Sequence, residues 1–268
     1  MKQSWLISIA AIALAAAPLA GQWLKYPTAG VPKTPSGVPN LGAPTPRTPD
    51  RHPDFSGIWE ADNTSCPPAG CIDMRSSREF TNFGAQLPGG LPYQPWAAKL
   101  VKQRIADNGK DDPTSVCKPA GALRLFTYPP LRKFVQAPGM LVMLSERDVT
   151  YRQIFTDGRP LPADPSPSYN GYSSGHWEGD TLVVETIGFH DGMWLDRSGS
   201  PMTDAAKLTE RFRRINYGNL EIEVTVDDPK AYTKPWTVTL HQFIRLNTEL
   251  LEFFCQENEK DEGHLVGK

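Results

Sequence analysis

The sequence predicts a mainly β protein, an antiparallel barrel with one helix and a Pro-rich N-terminal arm, with a β-sandwich as the competing fold. Two observations carry that prediction. Ten short segments of strand composition are separated by turn residues, with no helical crossovers among the nine that follow Pro119. Proline and glycine make up 26 and 22 of the 268 residues, which argues against an all-helical chain or a long helical repeat.

The chain begins with Lys2, an uncharged apolar run from Trp5 to Ala17, and then small residues, the layout of a cleaved export signal over residues 1–20. A run of about a dozen apolar residues is shorter than the roughly 18 that span a bilayer, so no membrane span is expected. Cleavage fits after Ala17 or after Ala20, and Gln22 stands where a lipoprotein signal would need cysteine. The expected destination is the periplasm or the exterior. Residues 21–53 hold eight prolines from Pro27 to Pro53 among Gly, Thr and Ser. Such a stiff, core-poor segment is an extended arm that either wraps the domain or spaces it from the membrane. Residues 54–268 form a single β-rich domain.

Cys66, Cys71, Cys117 and Cys255 in an exported chain point to disulfides, because the oxidising compartment favours the bridge over a metal. Four cysteines allow three pairings. A local Cys66–Cys71 staple would leave Cys117 to join Cys255 across a long loop. A zinc site is the weaker alternative, since no Cys-x2-Cys unit is present.

Between Tyr93 and Asn108, Pro95 marks a helix start, Trp96, Leu100, Val101 and Ile105 share a stripe, and Asn108-Gly109 is a stop. Strands are expected at 55–59, 131–136, 140–146, 150–156, 169–177, 181–187, 207–215, 220–227, 236–245 and 249–255. Gly57-Ile58-Trp59 opens this array much as a Gly-x-Trp strand opens a lipocalin-like (calycin-type) barrel, and closure removes the edges that consecutive hairpins would otherwise expose. A Gly179-Asp180 turn sets Trp177 opposite Leu182 and Gly175 opposite Val184. A three-residue loop at Tyr217-Gly218-Asn219 sets Phe212 opposite Val224, which turns Glu210 to the apolar face opposite Val226. A carboxylate there must be paired or have a raised pKa.

The segments Asp54-Phe55-Ser56-Gly57-Ile58-Trp59, Arg152-Gln153-Ile154-Phe155-Thr156-Asp157-Gly158-Arg159-Pro160, Gly171 to Thr186, Trp194-Leu195-Asp196, Thr209-Glu210-Arg211-Phe212-Arg213-Arg214 and Asp227-Asp228-Pro229-Lys230-Ala231-Tyr232 resemble a large family of exported bacterial proteins. The resemblance covers nearly the whole mature chain and implies no particular activity. His176 and His190 stand where such relatives usually carry Arg and Asn, which weighs against a role requiring imidazole.

A formal charge of −2, from 28 Lys+Arg against 30 Asp+Glu, offers nothing to attract nucleic acid. No phosphate loop or dinucleotide fingerprint occurs, so no cofactor is expected. Gly171-Tyr172-Ser173-Ser174-Gly175 lies in a continuing strand and not in the strand-to-helix turn that a nucleophile elbow requires. His176-x-Glu178 with His190-Asp191 would be a sparse metal set; the plainer reading is a solvent-facing hairpin edge. Asp227-Asp228-Pro229 reads as a strand-ending turn.

What remains is an aromatic and acidic constellation: Asp191, Trp194 and Asp196 in one loop, with Trp59, Tyr172, Trp177, Glu210 and Arg211 on strands. Arg159, following Asp157-Gly158, is the favoured partner of Glu210, with Arg211 as another and a solvated turn position as the alternative for Arg159. The leading expectation is an exported protein binding a small aromatic or glycosidic ligand in a barrel pocket through Trp59, Trp177, Trp194 and Arg211. A cofactor-free lyase or hydrolase using Glu210, Asp191 and Asp196 with Tyr172 or Arg159 is one alternative. A cell-envelope protein whose arm docks a partner is another.

Overall fold

In a computed structural model, which describes residues 26–62 and 83–255, the strands are β1 (Gly57–Ala61), β2 (Arg132–Ala137), β3 (Met140–Ser145), β4 (Thr150–Phe155), β5 (Tyr172–Glu178), β6 (Thr181–Ile187), β7 (Met193–Trp194), β8 (Pro201–Met202), β9 (Lys207–Arg214), β10 (Asn219–Asp227) and β11 (Trp236–Arg245). All but β7 and β8, which pair as a small hairpin, close one barrel in the order β1-β11-β10-β9-β6-β5-β4-β3-β2. The barrel and its one substantial helix are therefore as the turn spacing predicts, and the sandwich is not formed. Residues 1–20, with the export signal, and the Cys66, Cys71 pair lie outside the described residues.

Alternation along the strands fills the barrel. Leu208 and Phe212 of β9, Ile222, Val224 and Val226 of β10, Leu182 and Val184 of β6, Phe134 of β2 and Trp59 of β1 are buried in one contiguous apolar cluster. The Gly179-Asp180 hairpin has the expected register, Trp177 opposite Leu182 and Gly175 opposite Val184. The β9–β10 hairpin does not: Phe212 lies opposite Ile222 and Glu210 opposite Val224, two residues from the expected pairing. The turn keeps three residues but lies one position earlier, at Asn216-Tyr217-Gly218, closed by Ile215 N–H to Asn219 O at 2.9 Å and by Asn216 Oδ1 accepting from Gly218 N–H at 3.0 Å. A slip of two keeps every side chain on its face, so Glu210 still points inward.

Two further expectations are corrected. The β4–β5 pair is parallel, with only Ile154↔Ser173 and Phe155↔Ser174 in register, because residues 156–171, with Pro160, Pro162, Pro165 and Pro167, carry the chain back to the end where β4 began. The segment 249–255 is not a strand, although its composition is apolar. In a closed barrel β1 already lies between β11 and β2, so no edge is left for it, and Leu251, Phe253 and Phe254 stay exposed on the outside.

The helix α1 (Pro95–Ala106) starts at its proline and ends where Asn108 and Gly109 turn left-handed at φ 53° and 67°. Its buried residues are Ala97 and Val101; Trp96 faces outward, 47% exposed, and donates its indole N–H to Lys230 O at 2.8 Å. A four-residue turn, α2 (Ala122–Leu125), plugs the same end of the barrel with the buried Leu123, Leu125 and Phe126.

The arm closes the opposite end. Over residues 26–53 it is a run of turns and not a free spacer. Ala43 O and Leu41 O accept from Tyr217 N–H and Gly218 N–H, both at 2.8 Å, and Thr45 Oγ1 donates to Arg214 O at 2.9 Å. Arg47 pairs with Asp180 through both guanidinium ends, and His52 stacks on Trp177 with centroids 4.3 Å apart. At about 0.5–1 kcal/mol per hydrogen bond, removing residues up to Arg47 is expected to cost on the order of 2 kcal/mol, roughly 4–8 °C in Tm. A thermal melt of the trimmed protein checks this; an unchanged Tm would mean that the arm is only a spacer.

Candidate functional site

The inward carboxylate found by strand alternation sits in a fully buried polar network inside the barrel wall. Arg152 of β4 donates Nη1–H to Glu210 Oε1 at 2.8 Å and Nη2–H to Glu210 Oε2, Nη2–H also to Thr186 Oγ1 at 2.7 Å, and Nε–H to Ser173 Oγ at 3.1 Å. The Ser173 and Thr186 hydroxyls are 3.0 Å apart. Four strands are thus joined by one guanidinium, which crosses the seam where β4 and β5 share only two ladder pairs. Ser173 is spent in this network, bonded to Arg152 and Thr186 and to no general base among the described residues.

Arg159, the expected partner of Glu210, is elsewhere. It is exposed, folds onto its own turn with Nε donating to Asp157 Oδ1 at 2.9 Å, and lies 3.9 Å over the Phe155 ring. Asp157 is two residues away and captures the guanidinium before it can reach inward. Arg211 alternates outward beside Glu210 and pairs with Glu178 at 2.8 Å. His176 Nε2 lies 3.3 Å from the other oxygen of Glu178, a surface triad at the hairpin edge.

The remaining predicted residues fall into three places. Trp59 is fully buried, its indole N–H held by Phe55 O at 2.9 Å, so its ring belongs to the core. Trp177 lies at the arm end, sandwiched by His52 and Phe55, beside a pocket of about 120 Å³ lined also by Asp50 and Gln136. Asp196 is buried behind its loop, where Ser200 Oγ–H reaches both carboxylate oxygens at 2.8 Å; burial pushes its carboxyl above the usual range against those bonds.

Asp191 and Trp194 meet at the helix end in a cleft of about 250 Å³, together with Tyr169, His190, Lys118 and Thr114. Ser168 bridges Phe189 in parallel, with Ser168 N–H to Gly188 O at 3.0 Å and His190 N–H to Ser168 O at 3.2 Å, and so holds the Tyr169 and His190 rings 4.7 Å apart. Across the cleft, the 113–120 segment is braced by Arg124, whose Nη1 donates to Asp112 Oδ1 at 2.8 Å. Burial alone would push the Asp112 carboxyl up, but Arg124 and the Thr114 donors outweigh it and hold the group below the usual carboxylate range. Gly121, at φ 84°, leaves no room for a side chain: a Cβ there would sit 2.1 Å from Met193 Cε. Trp194 forms the inner wall, its ring stacked under Arg104 at 4.3 Å.

The cleft continues past Pro119 and Tyr169 into a groove of about 380 Å³ along the β4–β5 seam, lined by Tyr151, Phe155, Asn170 and Tyr172. Tyr172 packs on Phe155 with centroids 5.4 Å apart. Of the predicted residues, the structure therefore brings Asp191, Trp194 and Tyr172 to one surface, with Arg159 at its rim over Phe155 and beside Tyr172, and separates the others from it. Tyr169, His190 and Lys118 were missed as lining residues. Nothing local marks Lys118 and Tyr169, and His190 was noted only as part of a sparse metal set, since the three lie 51 and 21 residues apart along the chain and meet only when the barrel closes.

No protein-family model matches the chain, and no curated protein is similar to it.

Proposed function

We propose that this is an exported binding protein for a small aromatic or glycosidic compound, taken in the cleft at the helix end and along the adjoining seam. The observation that carries this reading is the meeting of the Tyr169 ring, the Trp194 wall, Asp191 and Lys118 in one concave surface, where a ring can stack and hydroxyls can bond to charged groups. The Cys117–Cys255 bridge supports export. Carboxylate acid–base chemistry is less well supported: Glu210 is committed to Arg152 and Asp196 to Ser200, which leaves Asp191 as the cleft's carboxylate among the described residues. The arm is likewise committed to the barrel's other end, which weakens the reading in which it docks a partner.

Screening phenolics and glycosides by thermal shift, with mass spectrometry of each hit, tests the proposal. A ligand is expected whose affinity falls at least about tenfold in Tyr169→Ala, the loss of roughly one stacking contact, and also falls in Asp191→Asn. Turnover of a hit would favour the enzyme. Binding unaffected by either substitution would place the ligand elsewhere.

A further inference from the structure

Arg132, the first residue of β2, points into the barrel between Trp59 of β1 and Ser145 of β3, and is fully buried. Its Nη1 donates to three main-chain carbonyls, Leu125 O at 2.7 Å, Tyr128 O at 2.9 Å and Pro130 O at 3.0 Å. The opposite edge, Nε–H and the Nη2–H pair, has no hydrogen-bond partner among the described residues. The acids whose charge reaches it are committed outside: Glu146 accepts from Leu131 N–H at 2.7 Å and Leu251 N–H at 2.9 Å, and Glu60 pairs with Arg245. Burial lowers the guanidinium pKa to about 10, so the group is still a cation at neutral pH.

Gln242 hangs on the same stretch of chain. It points inward from β11, on the strand beyond β1, and donates Nε2–H to Phe126 O at 3.1 Å, while its Oε1 is buried without a partner among the described residues. A bare buried cation and a bare buried acceptor, both tied to residues 125–128, are costly in a folded protein. The Nε–Nη2 edge of arginine is the pair of parallel donors that grips a carboxylate with two hydrogen bonds. Arg152 makes that kind of bidentate grip on Glu210 through its Nη1 and Nη2 in the same barrel, whereas no side chain among the described residues supplies a carboxylate to Arg132.

We propose that Arg132 and Gln242 form an internal site for a small hydroxycarboxylate, distinct from the end cleft. The carboxylate oxygens accept from Nε–H and Nη2–H of Arg132, and the ligand hydroxyl donates to Gln242 Oε1. The acid is small, because Trp59, the register partner of Arg132 on β1, and Phe134, two residues along β2 on the same face, are large, apolar and buried.

The full mature chain, denatured after purification, is first assayed by ion chromatography for a released acid, then refolded and dialysed against labelled glycolate or acetate at constant ionic strength. About one glycolate per chain is expected, bound roughly tenfold more tightly than acetate, the worth of one hydrogen bond. Arg132→Met should abolish uptake, and Gln242→Leu should erase the preference for glycolate while acetate still binds. Should Arg132→Met not fold, Arg132→Lys, which keeps the charge and loses the fork, should weaken uptake at least tenfold. Tyr169→Ala should bind as wild type does, which separates this site from the cleft. No uptake by the native protein, equal uptake in the arginine variants, or an equal response to chloride and glycolate would overturn the proposal.

Discussion

Glu210→Gln is expected to destabilise the protein by about 3–5 kcal/mol, a fall in Tm of roughly 6–20 °C, because it leaves Arg152 buried without its counter-ion. The guanidinium and the carboxylate are 1% and 0% exposed, so water cannot make good the lost charge. Ser173 and Thr186 continue to accept from Arg152, but two neutral hydroxyls do not offset a buried positive charge. The effect should be local first, since Arg152 spans the seam with two ladder pairs: amide exchange in β4 and β5 should accelerate ahead of the rest. Replacing both members by apolar residues, Arg152→Met with Glu210→Leu, should recover much of the loss. Chemical denaturation of the two variants checks the pair of expectations. A nearly neutral Glu210→Gln that instead abolished ligand binding would make Glu210 a working acid and not a strut.

That Glu210 is inward was legible because strand parity survives a one-residue error in the position of the turn. The β9–β10 pairing differs from expectation by two residues, and period-two alternation is blind to such a shift. Its partner was legible in principle as well: Thr150-Tyr-Arg-Gln-Ile-Phe155 alternates, and Arg152 shares the face of Ile154. Turn chemistry pointed to Arg159 because that residue follows a tight turn. The same turn places Asp157 within reach, and a contact two residues away is made before any across the sheet. Arg132 was legible by the same parity, since it shares the face of Phe134 within the expected strand 131–136; the carbonyls of Leu125, Tyr128 and Pro130 that hold it were not, because they belong to the last residue of α2 and the irregular segment after it.

The barrel's closure was legible from the number of hairpins and its consequences were not. Closure consumes the edge that 249–255 would have used, so an apolar stretch of strand composition ends as an outer coil. The arm's turns likewise depend on what they meet: Ala43 and Leu41 find the β9–β10 connection, which is 175 or so residues distant along the chain and beyond local pattern.

Breaking the Cys117–Cys255 bridge, in a double serine variant that leaves Cys66 and Cys71 untouched, is expected to cost about 3–5 kcal/mol. The two cysteines are 138 residues apart, and closing so long a loop removes about 5 kcal/mol of entropy from the unfolded chain, before any compensating change. The folded-state attachments of the C-terminal segment are modest: Lys133 Nζ to Glu249 at 2.7 Å, Leu251 N–H to Glu146 at 2.9 Å, and Arg147 5.5 Å from the Phe253 ring. Exposed contacts of this kind hold little against chain entropy, so the bridge is what keeps residues 249–255 docked. Its other end matters to the cleft. Cys117 sits at φ 59° directly before Lys118 and Pro119, which line the cleft, so release of the bridge should loosen one wall and weaken ligand binding, while Glu210→Gln should not. A melt 6–20 °C below wild type, roughly 2–4 °C per kcal/mol, together with protease cleavage near Phe253, is the expected result. Finding Cys117 and Cys255 as free thiols in the native protein, or an unchanged Tm in the double variant, would remove the bridge from the account of both stability and site.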